Sequence, residues 1–311
     1  MDMSGLINIV ACLFLLMAVG YIARKLGIID NALSKGLSKL IIRIGQPFLI
    51  VNSLTQTEYS PEGLREGLII LGLGFALHIF MAIYAFIACR PIRDLDEQKL
   101  SEFSLVFTNC GFIGFPILES IMGPKGLFWG AFFFVSFHVL TWTWGLLILA
   151  RGRKDIRPRL KNILINFGTV PCAIGLAIYI AQIPLHAFVH SLTGYLAALC
   201  TPISVLITGG LLATMPPKAF FTTRSLYLNC LHKLILIPLL ACVIMHFCGI
   251  PDEYTLFATV IAALPSAAVV TMFGETYDIR PSYAALTVGV TSVLSVITLP
   301  CIIWIAQWIM G

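Results

Sequence analysis

The chain has 311 residues, 59% of them hydrophobic and 11% charged, against roughly a quarter charged in an ordinary soluble domain. A mean hydropathy of +0.94 excludes a soluble globular protein. The net charge of +5 implies no nucleic-acid partner, because the basic residues sit in short loops between apolar runs.

A hydrocarbon core about 30 Å thick needs roughly 20 apolar residues per helical crossing, and the pattern predicts ten crossings. Helices 1 to 5 are expected over 5–23, 37–56, 66–89, 101–122 and 126–150, and helices 6 to 10 over 161–181, 193–213, 226–248, 254–276 and 281–309. Asp2 precedes the first run while Arg24 and Lys25 follow it, the reverse of a secretory leader, so it is read as a retained helix. Residues 182–192 form a longer outer connection, expected to be an interfacial turn carrying His186 and His190. The division is a first five-helix repeat over 1–150, a basic cytoplasmic loop over 151–160 and a second repeat over 161–311.

Loop charge sets the orientation. One side holds Arg24, Lys25, Lys35, Lys39, Arg90, Arg93, Lys99, Arg151, Arg153, Lys154, Arg157, Arg159, Lys161, Lys218, Arg224 and Arg280; the other holds only Arg65 and Lys125. Sixteen against two places both termini outside a cell (inner) membrane by the positive-inside rule. Five helices per half then force the second half to insert upside down, as in inverted-repeat transporters. Short matches support a duplication: Gln46-Pro47 against Thr201-Pro202, and Phe115-Pro116-Ile117 against Leu264-Pro265-Ser266, at offsets of 155 and 149 residues.

Helix 4 carries Gly111, Gly114 and Pro116, and helix 9 carries Pro265 near its middle. Proline lacks an N–H and clashes with the carbonyl four residues back, and glycine eases irregular dihedrals. Each proline is expected to open a new half-helix, although an ordinary proline kink is the plain alternative. Irregular backbone at membrane depth persists where it is packed in protein or lines a cavity. Running in opposite directions, the two helices would bring two half-helix N-termini together if they cross at their breaks. Bare N–H groups and positive dipole ends there favour an anion. Dipoles offer about 0.3–2 kcal/mol each, while burying a carboxylate costs several kcal/mol, so donors, a cation or a proton must supply the difference.

The substrate-site candidates are Asn109, Cys110, Gly111, Gly114, Pro116, Pro265 and Ser266, with Gln46, Asn52, Thr201 and Ser204 on the opposite wall. Asn109 is the leading donor, against a plain packing amide; its repeat-equivalent position in helix 9 is Ala258, so the site would be chemically asymmetric. Ser266 supplies a hydroxyl or caps its half-helix. Intramembrane ionisable residues are functional candidates. Arg43 and Lys233 serve as gate or substrate contacts, or else snorkel to the inner interface. His78 and His138 couple protons, or else pack. Glu119 reads as an interfacial carboxylate, and the Trp and Phe residues as packing and belt.

At these residues the chain resembles the auxin efflux carrier family, and its bacterial malate and malonate permeases in particular. The helix-4 pattern of Asn109, Gly114 and Pro116 matches, as does the helix-9 pattern of Leu264-Pro265, Phe273, Glu275-Thr276-Tyr277 and Pro281. The resemblance covers essentially the whole chain. It implies an all-α fold of two inverted five-helix repeats with crossed helices 4 and 9, similar to sodium/proton antiporters and bile-acid transporters. Helices 1, 2, 6 and 7 would form a scaffold, and helices 3–5 and 8–10 a transport domain moving in elevator fashion. It further implies scaffold-mediated homodimers and carboxylate substrates. The long hydrophilic loop of many plant members is missing, which argues against auxin as the substrate.

The function expected is therefore secondary transport of a small organic anion, a mono- or dicarboxylate, without a cofactor. A sodium-coupled symporter of the bile-acid type and a passive channel are the alternatives, with a proton or sodium as the coupling ion. His-Glu-x-x-His, Gly-x-Ser-x-Gly and P-loop motifs are absent from the sequence, which argues against an enzyme or an ATP-driven pump. Nine cysteines without a Cys-x-x-Cys pair indicate neither a disulfide framework nor a zinc site.

Overall fold

The computed structural model describes residues 3–153, 156, 165, 167–214 and 224–311. Lys154, Arg157, Arg159 and Lys161 of the basic loop, and Lys218, lie outside the described residues, as does most of the start of predicted helix 6. The protein is an all-helical, multi-pass membrane protein. Among the described residues, five helical stretches are long and apolar enough to cross a membrane: Pro61–Ala88, Cys110–Ala150, Ala187–Ala213, Ser225–Phe247 and Pro281–Met310. Outward faces bear bare apolar side chains such as Phe247, Trp308, Tyr195 and Ile297, which water would not tolerate as a continuous surface and hydrocarbon does.

In chain order the first half comprises α1 (Met3–Lys25), α2 (Asn31–Leu40), α3 (Gln46–Thr55), α4 (Pro61–Ala88), α5 (Leu95–Val106), α6 (Phe115–Leu140) and α7 (Leu146–Ala150). The second comprises α8 (Thr169–Ile180), α9 (Ala187–Ala198), α10 (Cys200–Ala213), α11 (Arg224–Leu231), α12 (Ile237–Phe247), α13 (Asp252–Ala263), α14 (Val269–Thr276) and α15 (Pro281–Met310). Asp30 and Asp94 cap α2 and α5 by accepting from Leu33 and Glu97 N–H groups, the usual N-terminal use of a short carboxylate. Gly123, at φ 61° and ψ −148°, separates predicted helices 4 and 5, a conformation that glycine adopts without strain. The expected turn over 182–192 is shorter than predicted. His186 caps α9 by accepting from Phe188 N–H at 3.2 Å, so helix starts six residues earlier than its apolar pattern suggests.

Among the described residues four single turns of π-helix occur, at Ile41–Gly45, Cys110–Gly114, Thr141–Gly145 and His232–Leu236. Three are followed two residues later by proline: Pro47, Pro116 and Pro238. A proline cannot bond the carbonyl four residues back and its ring collides with it. A wide turn moves that carbonyl aside, as in the Gln46 N–H bond to the Ile41 carbonyl and the Ile237 N–H bond to the His232 carbonyl. These prolines are thus absorbed without ending their helices. The expectation that Pro116 opens a half-helix is corrected accordingly: Gly114 just before it is helical at φ −66°, ψ −47°.

The actual interruption in that segment is Phe107–Asn109. Helix α5 ends at Val106, and Phe107 is extended at φ −98°, ψ 114°. The second interruption falls where proline predicted it, with Leu264 extended at φ −62°, ψ 149° and helix resuming at Val269.

The chain divides into two compact units. One holds Met1–Gly74, Gly111–Trp142 and Arg159–Ala213; the other holds Phe75–Cys110, Thr143–Pro158 and Thr214–Gly311. In the first unit α1 and α10 approach backbone to backbone, since a Cβ on Gly20 would lie 2.1 Å from the Leu206 carbonyl oxygen and one on Gly209 1.9 Å from that of Met17. In the second unit α5, α11–α15 and both interruptions pack around Phe103, Phe107, Phe257 and Phe273.

Candidate functional site

The two interruptions meet within the second unit. Thr108 faces Ser266 as an isolated antiparallel bridge. The Asn109 N–H donates to the Pro265 carbonyl at 2.8 Å, and the Ala267 N–H donates to the Phe107 carbonyl at 2.9 Å. The broken segments are therefore joined by two reciprocal strand-type bonds. Several amides that the sequence left bare are engaged, and the Ser266 N–H also donates to Thr291 Oγ1 at 3.2 Å. Side-chain donors must accordingly carry more of any anion binding than backbone amides do.

Around this crossing lies a shell of buried hydroxyl and amide groups. Ser266 Oγ donates to the Ser104 carbonyl, Ser104 Oγ bonds Asn229, and Asn229 Nδ2 donates to the Ser101 carbonyl. Ser101 Oγ meets the Tyr283 hydroxyl at 2.8 Å. Thr108 Oγ1 is buried without a hydrogen-bond partner. A buried polar atom left without a partner costs free energy.

Lys233 is fully buried, and its Nζ donates to the Leu105 carbonyl at 3.0 Å. Leu105 lies in the last turn of α5, whose carbonyls have no helical partners and carry the negative dipole end. Snorkelling is thereby excluded, since the ammonium points inward and caps the broken end. His78, also buried, packs its ring 5.9 Å from that of Phe107. The 155-residue offset of Pro47 and Pro202 also relates His78 to Lys233, a correspondence available to sequence reading.

Asn109, Cys110, Pro265, Ser266, Lys233 and His78 thus share one unit. The remaining candidates belong to the other. There, a Cβ on Gly111 would come within 3.2 Å of Gln46 Nε2, so these two are neighbours. Asn52 Oδ1 accepts from Thr193 Oγ1 at 3.1 Å, and Ser204 Oγ turns back to the Thr201 carbonyl. Gly114 and Pro116 are inside helical geometry. Arg43 is exposed, its guanidinium 5.8 Å from the Phe167 ring centroid. His138 is edge-on to Phe134 with centroids 4.4 Å apart, and its two ring nitrogens lack hydrogen bonds.

Sequence reading missed Ser104, Thr108, Asn229 and Thr291. The recurrence of Tyr283, Thr287, Thr291 and Ser295 every four residues on α15 was the available signal, a polar stripe on one helix face. It also missed a charge cluster around the start of α5 in this unit. Arg151 Nη2 pairs with Glu102 Oε2 at 2.6 Å, Lys99 Nζ with Asp96 at 3.0 Å, and Arg280 with Asp94. The Glu97 backbone N–H, and then the Arg280 guanidinium, hold the Asp94 carboxyl below its ordinary value.

Two interrupted helical segments are thus paired inside a multi-pass membrane protein. The family model described as "Membrane transport protein" matches residues 6–163 and 160–303, and the chain belongs to that family. Its role is therefore transport and not catalysis. Similar proteins include an uncharacterized transporter of Methanocaldococcus jannaschii, 23% identical over 96% of this chain and 98% of the relative. An uncharacterized transporter of Methanothermobacter thermautotrophicus is 22% identical over 96% of this chain and 98% of its own length. A putative malonate transporter of Rhizobium meliloti is 21% identical over 98% of this chain and 97% of the relative.

Proposed function

We propose that the protein is a secondary carrier of a small organic anion, a mono- or dicarboxylate, held beside the crossing of Phe107–Cys110 and Leu264–Ala267. The observation that supports this most is the pairing of two interrupted helices around polar side chains, with a buried lysine on the broken α5 end. Helical geometry resumes at Cys110 and at Val269, so two N-terminal ends leave the crossing, and such ends favour negative charge. Asn109 and Thr108 supply side-chain donors, and the Lys233 amine lies nearby on the Leu105 carbonyl. The name of the Rhizobium meliloti relative makes a dicarboxylate the first solute to try.

In this reading the chain makes ten crossings in two inverted halves, with both termini outside. Helices 1, 2, 6 and 7 serve as scaffold and dimer contact, and helices 3–5 and 8–10 carry the solute by alternating access. The test is uptake of labelled malonate and malate into proteoliposomes, guided by a thermal-shift screen of mono- and dicarboxylates. Asn109→Ala leaves the backbone bond to Pro265 in place, so the variant should express and remain monodisperse. Removing one amide donor to a charged solute costs about 1.5–3 kcal/mol, or roughly 10- to 100-fold in affinity. Undiminished uptake by this variant would refute the assignment.

A further inference from the structure

Glu102 sits on α5, six residues before Thr108, or about 9 Å along a helix. Its side chain is 4% exposed, with Oε2 held by Arg151 Nη2 at 2.6 Å. Oε1 is buried without a hydrogen-bond partner. Arg151, at the end of α7, is 34% exposed and has a second anchor in the Ile148 carbonyl. A buried carboxylate satisfied on one oxygen only is unfavourable in its charged form. A proton can add at Oε1 without breaking any bond, whereas a metal ion there would face the neighbouring guanidinium.

Ionisable groups near α5 have partners of their own, Glu97 accepting from Ser225 and His232 meeting the Tyr84 hydroxyl at 2.6 Å. Tyr283 of α15 is bonded to Ser101, Lys233 to the Leu105 carbonyl, Arg153 to the Tyr277 carbonyl and Arg280 to Asp94. On α5 itself Lys99 is paired with Asp96. Arg151 is the charged group paired with Glu102, and the nearby Cys89 thiol is buried and neutral.

Resting on the carrier reading above, we propose that Glu102 is a proton-binding site through which inner-side pH sets the carrier's activity. The proton comes from inner water and forms an O–H bond at Oε1. The carboxyl becomes neutral, and the Arg151 guanidinium, losing its counter-ion, turns to water. Deprotonation restores the pair. Because α5 runs from Glu102 directly into Phe107–Asn109, the state of this pair bears on the segment that forms the crossing.

Infrared difference spectra of purified protein between acidic and alkaline buffer test the site without a substrate. The wild type should show a protonated-carboxyl band that Glu102→Gln lacks. An identical band in both overturns the proposal. In proteoliposomes exchanging labelled malonate, the wild-type rate should change by about tenfold per pH unit on the titrating limb, and Glu102→Gln should be flat. Should that variant not fold, Arg151→Gln retains the carboxyl without its counter-ion and should move the limb to higher pH; an unmoved limb refutes the pairing. A wild-type band with no exchange of malonate or malate at any pH refutes the carrier reading and leaves the site standing. Exchange without the band does the reverse.

Discussion

Replacing Lys233 with methionine separates a functional charge from a structural one. Methionine keeps the length of the side chain and removes its ammonium. Two energies oppose each other. Losing the bond to the Leu105 carbonyl costs about 1.5–3 kcal/mol for a charge-assisted contact. Burying an ammonium costs several kcal/mol even after relaxation, and that cost disappears in the variant. The second effect is larger, so Lys233→Met should melt at the wild-type temperature or a few degrees above it. The solute loses a neighbouring positive charge, an interaction of about 1–2 kcal/mol in an effective dielectric near 20, so affinity should fall roughly 5- to 30-fold. Scanning fluorimetry and labelled-malonate uptake on the same preparation measure both. A variant that melts well below the wild type yet transports unimpaired would refute the reasoning.

Two further outcomes test the framework around the site. A Cβ on Gly209 would overlap the Met17 carbonyl oxygen at 1.9 Å, so Gly209→Ala should force α1 and α10 apart and destabilise by about 1–3 kcal/mol, read as a lower melting temperature. Asp94 has its carboxyl held below the ordinary value, chiefly by the Glu97 N–H and then by Arg280. Its contribution is full above the unfolded carboxylate pKa and is lost as pH falls through the depressed folded value. Melting curves across the acid range should therefore show Asp94→Asn losing less stability on acidification than the wild type, and equal acid sensitivity would contradict the assignment.

The sequence made the helical segments and the break at Pro265 legible, because hydropathy and a mid-span proline act locally. It misplaced the first break for an equally physical reason. Pro116 removes one N–H, and a wide π turn accommodates that at Cys110–Gly114. The chain opens instead at Phe107-Thr108-Asn109, which contains neither proline nor glycine, because backbone groups of Pro265 and Ala267 pair with it. Pairing between segments some 160 residues apart leaves no local mark. The repeat offset of 149 residues relates Asn109 to Ala258 as equivalent positions and says nothing of the bridge between Thr108 and Ser266. Lys233 illustrates the same limit: its position two turns from a helix end suits snorkelling, and only the buried helix-end carbonyl of Leu105 decides that it points inward. The ion pairs around α5, Arg151 with Glu102 foremost, join residues whose proximity no spacing rule announces.

The two bonds between Phe107–Asn109 and Pro265–Ala267 bear on how a grip can survive motion. Prising these strands apart in surroundings without water would strand four backbone groups at once. Any rearrangement that carries a solute from one face to the other is cheaper if it shifts the knot whole. The two bonds therefore tie Phe107–Asn109 and Pro265–Ala267 into a single clasp that is costly to open.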